Sequence, residues 1–209
     1  MSANRVEKLV YWYLRFNGYL TVENFTVHPD HRIHETEADF LAVRFPWSKE
    51  EPGHYRFERD PLLVLTDKID FIIGESKTGQ VELNENSWGN PDRHHVQYAL
   101  EWMGIFTDDQ TIENAAQTLY NEKFWEKDNY CVRFVCFGRY SNKKLSVAFP
   151  RLLQINHQHM MGFVHRRLTT SCNCLHRENW DPYIKDIVTL IEIGATPEML
   201  LAWTLAKEK

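Results

Sequence analysis

The run IDFIIGESKTG, residues 69–79, constrains this 209-residue chain more than any other stretch. Ile69, Phe71, Ile72 and Ile73 call for a strand packed in the interior, yet the same strand then delivers Glu75 and Lys77. Residues two apart in a strand share a face, so the carboxylate and the amine point the same way near its C-terminal end. A charge taken out of water is costly unless it is paired or bound to metal. The pair is therefore either a salt bridge at a sheet margin or part of a site that uses both charges.

The flanking sequence supplies a frame for that strand. Residues 4–16 predict a helix, with Val6, Leu9, Val10, Tyr13 and Leu14 as its apolar stripe and Asn17-Gly18 as its stop. Strands are expected at 19–27 and 38–45, the second ended by Pro46, with an elaborated loop over 46–68. After strand 69–77, GQVELN reads as a neighbouring strand and NSWGNPD as a loop. Helices follow from Asn90 or Pro91 through Met103 and over 109–125. CVRFVCFG at 131–138 is a strand, KLSVAF at 144–149 an edge or hairpin strand, and 150–166, 179–193 and 197–207 are helices. This pattern predicts an α/β domain, a mixed sheet flanked by helices. A single domain is expected over 1–209, with its core at about 4–150 and a helical extension at about 150–209.

Charge is segregated along the chain. The net charge is -5, but residues 129–177 contain no Asp or Glu and carry Arg133, Arg139, Lys143, Lys144, Arg151, Arg166, Arg167 and Arg177. An acidic body with one basic stretch suits a protein that holds cations in one place and a polyanion in another; chance segregation is the bland alternative. Lys143, Lys144, Arg166 and Arg167 are the candidate phosphate contacts, and His54, Tyr55, Arg56 and Phe57 in the loop are candidates for a groove or a splayed base. No apolar run is long enough for a membrane span and the N-terminus lacks signal-peptide features, so no membrane partner is expected. The four Cys read as reduced thiols, which points to a cytoplasmic protein.

Asp39 opens the strand DFLAVRF, and on a neighbouring strand it could converge with Glu75 on a hard divalent cation such as Mg²⁺. Lys77 would then orient a water or balance charge on an attacked phosphate. Glu7 falls on the inward side of the first helix, where it either caps the pocket or snorkels outward. Glu37, Glu82 and Gln97 are weaker candidates, each with a solvated surface as its simpler reading. His165, Cys172, Cys174 and His176 contain the donors of a zinc site, but the C-x-C spacing departs from the usual knuckle and ordinary thiols fit better. There is no Walker A loop, dinucleotide fingerprint, HExxH or nucleophile elbow.

The ordered set Glu7, Gly18-Tyr19, Asp39 and Glu75-Ser-Lys77 resembles the PD-(D/E)xK nuclease superfamily, the restriction-endonuclease-like fold, and within it the archaeal Holliday-junction resolvase and Mrr-like branch. There a helix bearing Glu precedes a Gly-aromatic strand, a strand opened by Asp, and an ExK strand. The resemblance covers residues 4 to about 100, with 131–138 as a further core strand. It implies Mg²⁺-dependent hydrolysis of phosphodiester bonds in DNA, with Mn²⁺ as a substitute. Asp39 and Glu75 would be the metal ligands, Lys77 would place the water, and Glu7 would fill the helix role. Cutting a duplex takes two cuts, which is compatible with a homodimer. Members of the superfamily that no longer cut leave open a binding or assembly role, and an RNA or single-strand nuclease would present the same residues. The 46–68 insertion and the long helical ending depart from the compact resolvases.

Overall fold

The computed structural model describes residues 5–27, 36–48, 59–65, 67–171 and 180–206. Helix α1 spans Arg5–Phe16, and Val6, Leu9, Val10, Tyr13 and Leu14 are buried as their spacing predicts, joined by Trp12 and Phe16. Gly18 ends it at φ +85°, a conformation that favours glycine. The Tyr19 N–H donates to the Leu14 carbonyl at 3.1 Å and the Gly18 N–H to Arg15 at 2.9 Å, so the last helical carbonyls are satisfied as the chain turns back.

Three strands then run as an antiparallel meander: β1 (Leu20–Val27), β2 (Thr36–Arg44) and β3 (Ile69–Ser76). A crossover carries the chain through α2 (Glu85–Trp88), α3 (His95–Met103) and α4 (Asp109–Glu122). Beyond β4 (Phe124–Lys127), strand β5 (Tyr130–Gly138) lies parallel to β3. The far edge of β5 is shared, its first half pairing antiparallel with β4 and its last residues parallel with β6 (Leu153–Asn156). The order β1-β2-β3-β5-β4 makes a mixed sheet with β3 at its centre.

Helices cover both faces, which explains why β5 is buried along nearly its whole length. One face packs against α1 together with α6 (His157–Ser171), α7 (Pro182–Glu192) and α8 (Pro197–Leu205), through Phe40, Ile72, Val135 and Phe137. The other packs Leu41, Ile73, Val132 and Phe134 against α2, α3 and α4, with Leu145 of α5 (Lys143–Ala148) at its margin. From the residues after 150, Ile155, Met160, Ile184 and Leu200 fill the same core as α1. Among the described residues, no helix is long and apolar enough to cross a membrane.

Three local expectations are corrected. KLSVAF is helical, because the Asn142 side chain accepts from the N–H groups of Lys144 and Leu145 at 3.0 and 3.3 Å and starts a helix there. Residues 153–156 form β6, so the helix expected from 150 begins only at His157. GQVELN contributes a single bridge, Gln80 with Tyr140, instead of a strand.

A buried charge cluster fixes the N-terminal end of β3. Asp70 is wholly buried and accepts from Arg133 Nε at 3.1 Å and a second Arg133 nitrogen at 2.7 Å, while Arg44 stands 3.5 Å away and the Tyr19 hydroxyl donates to it. Both guanidiniums also donate to the Leu63 carbonyl, which ties the returning end of the 46–68 insertion to the sheet. Asp60 anchors the same segment, accepting from the Tyr13 hydroxyl at 2.9 Å and pairing with His159. Asp70→Asn leaves two buried guanidiniums without their anion and is expected to cost about 3–5 kcal/mol, measured by urea unfolding. A loss near that of an ordinary surface substitution would contradict this account.

Candidate active site

The odd-numbered residues of β3 face α2–α4, so Phe71 and Ile73 enter that core and Glu75 follows them. Glu75 is 3% exposed. Its Oε2 accepts from Lys77 Nζ at 2.9 Å, and its Oε1 accepts from the Trp88 indole N–H at 2.7 Å. Both carboxylate oxygens are thereby engaged, one by a cation at the protein surface and one by a buried neutral donor.

Asp39 reaches the same place through the register of β2 on β3. Their pairing runs from Arg44 opposite Asp70 to Phe40 opposite Gly74, and one further step sets Asp39 across from Glu75. There the ladder gives way: Asp39 Oδ2 accepts the Ser76 N–H at 2.6 Å, taking the position of a strand carbonyl. On its other side the pairing with β1 skips from Glu23–Phe40 to Phe25–Ala38 around Asn24, which has φ 53°. The sheet is thus irregular on both flanks of Asp39, at the end where two carboxylates and an amine collect.

Burial pushes the Glu75 carboxyl above its ordinary range and the Asp39 charge adds to this, while Lys77 and the Trp88 N–H oppose it. Burial alone would lower the Lys77 ammonium, but Glu75 and Asp39 outweigh it and raise the pKa. Lys77 is therefore a proton donor and a fixed positive charge at neutral pH. His157 is wholly buried beside the Lys77 backbone, and its ring nitrogens make no hydrogen bond of good geometry. Burial, then the Arg139 charge, lowers its pKa to about 4, which keeps the ring neutral.

Glu7 is half-buried in the first turn of α1, whose apolar stripe packs on the sheet face opposite the one that receives Phe71 and Ile73. Among the described residues, no cluster of three or more His, Cys, Asp or Glu could hold a metal ion. Glu37 is half-buried two residues before Asp39 on β2, opposite Thr26, Glu82 is exposed, and Gln97 Oε1 accepts from His94 Nδ1 at 2.6 Å.

The basic stretch divides on folding. Arg133 is spent on Asp70, Arg151 pairs with Glu122 and Glu126, and Arg167 is 5% exposed with its guanidinium 5.7 Å from the Phe16 ring. Arg167 is thus corrected from surface contact to core residue, while Lys143, Lys144, Arg166 and Arg139 remain exposed. Arg56, Cys172, Cys174 and His176 lie outside the described residues.

Two contributors escape a reading of the sequence. Trp88 lies in a segment that reads as a polar loop, yet it is fully buried and its indole holds Glu75. The available signal is the residue type, since a buried indole N–H needs an acceptor. Lys123 is equally buried and donates to the carbonyls of Trp88 and Tyr120 at 2.9 and 2.8 Å, its pKa lowered by burial to about 8. It pins the backbone that carries Trp88.

Comparison of the chain with known family models, curated proteins and solved structures finds no match.

Because its carboxyl is shifted upward, native Glu75 takes up a proton at higher pH than in the unfolded chain, so it costs stability once ionised. Glu75→Gln is expected to raise stability at neutral pH, read as a higher Tm. That advantage should vanish on acidification to the ordinary carboxyl value of 4.5 and grow as pH rises above it. Thermal melts of both proteins across pH 4–8 check this; a pH-independent difference would contradict it.

Proposed function

We propose that this chain is a metal-dependent endonuclease that hydrolyses phosphodiester bonds in DNA, on a restriction-endonuclease-like fold of the PD-(D/E)xK type. The observation that carries the reading is the meeting of Asp39, Glu75 and Lys77 where β2 separates from β3. Further support comes from the order of helix, Gly-Tyr strand, Asp-bearing strand and ExK strand, with β5 as the additional strand beside them.

The donor set fits a hard cation. Asp39 and Glu75 offer oxygens only, and Mg²⁺ is commonly held by one or two carboxylates with water and substrate phosphate at its remaining positions. When bound there, the ion would polarise a phosphate oxygen and acidify a coordinated water. Asp39 and Glu75 would hold it, with the Ser76 N–H fixing the Asp39 carboxylate and the Trp88 indole fixing that of Glu75. Lys77, protonated, donates to the attacking water or to the phosphate and neutralises charge as it develops.

The test is cleavage of labelled linear, single-stranded and branched DNA and of RNA, with Mg²⁺, Mn²⁺ or chelator. Lys77→Ala and Asp39→Asn are each expected to lose on the order of 10²-fold or more in metal-dependent cutting. Cutting that survives chelation, or that both variants keep at the wild-type level, contradicts the proposal. Binding without cutting would leave a nucleic-acid-binding scaffold.

A further inference from the structure

Beyond Lys77 the chain runs directly into a second structure built on β5. The Arg139 N–H donates to the Gly79 carbonyl at 2.6 Å, Gln80 bridges Tyr140 in parallel, and the Val81 N–H donates to the Tyr140 carbonyl at 2.8 Å. The Asn142 amide donates to the Val81 carbonyl at 3.1 Å. Gly138 permits this approach, because a Cβ there would stand 2.8 Å from Val81 Cγ2, 2.9 Å from Val81 N and 3.1 Å from Gly79 O. Residues 139–142 are thus stapled to 79–81, and the staple presents one aromatic ring to solvent.

That ring is Tyr140, 57% exposed, with the Arg139 guanidinium 5.3 Å from its centroid. Lys143 and Lys144 follow on the exposed first turn of α5. Among the described residues, none of these three cations forms a salt bridge, and no Asp or Glu occurs between residues 129 and 177. A scattered exposed aromatic needs no explanation. A ring on a backbone fixed by four contacts, set among unpaired cations, does. Gln80 lies three residues beyond Lys77, so their Cα atoms lie within roughly 11 Å. The bridge adds about 5 Å, which places Tyr140 a few nucleotides along a strand from Lys77.

We propose that Tyr140 is a stacking platform for an unpaired base, and that Arg139, Lys143 and Lys144 follow the phosphates of the same strand. The occupant is single-stranded nucleic acid, either free or as the open strand of a branched molecule. A base within a duplex offers its faces to its neighbours and cannot stack on a side chain, whereas a splayed base can. This inference rests on the nuclease reading and narrows its substrate.

The experiment measures binding under chelation, so that nothing is cut, using 2-aminopurine-labelled single-stranded DNA, single-stranded RNA and blunt duplex. Wild type, Tyr140→Ala and Tyr140→Phe are compared. In Tyr140→Ala the ratio of single-strand to duplex affinity is expected to fall about 10-fold or more. The base's fluorescence quenching should vanish with it, and Tyr140→Phe should keep both. The DNA and RNA arms show which strand the platform takes. An unchanged ratio, or equal losses on single strand and duplex, overturns the platform. If wild type still cuts with metal in that case, the nuclease reading stands alone; if wild type neither binds nor cuts, both fall.

Discussion

Asp70 and Glu75 are two buried carboxylates on the central strand β3, and the contrast between their surroundings organises the molecule. Asp70 is saturated by Arg133, Arg44 and Tyr19, groups contributed by β5, β2 and the residue that leads into β1. That cluster joins four strands of the meander and crossover at one end and holds the 60–63 turn against them. Glu75, five residues on, receives one half-exposed ammonium and one neutral indole. The first environment fully compensates its ion. The second leaves an ion under-compensated beside Asp39, as the proposed cation site would require.

Much of this architecture could be read directly. The apolar run ending in Glu75-Ser-Lys77 specified the strand, and strand periodicity alone placed both charges on one face. The stripe of α1 and its Asn-Gly stop were equally plain. Whether Glu7 could join them was not, because helical spacing reports that a residue borders the apolar stripe and not which face of a sheet the helix will cover. The basic stretch misled for a related reason. Arg133 and Arg167 look the same in sequence as Lys143 and Lys144, and only tertiary packing puts the arginines in the core.

Local errors had local causes. Lys143-Lys144-Leu145 alternates weakly enough to suggest a strand, but the Asn142 cap supplies a helix start. Strand β4 was hidden because α4 ends without glycine, at Lys123 with φ 60°, and its four residues look like a further helical turn. Trp88 was missed since the segment around it is polar and turn-rich; its role depends on a partner thirteen residues back that no spacing rule connects. The candidate site is thus half legible: the charged groups announce themselves, whereas Trp88 and Lys123 that hold them do not.

The central claim is that Asp39 and Glu75 together form one divalent-cation site. Calorimetric titration of Mn²⁺ into the intact chain tests it without any substrate, with Asp39→Ala and Glu75→Gln titrated alongside. The account predicts saturable binding at one ion per chain, lost in each variant while both remain folded. Saturable binding that persists in the two variants, or a wild type that takes up no ion, would contradict it.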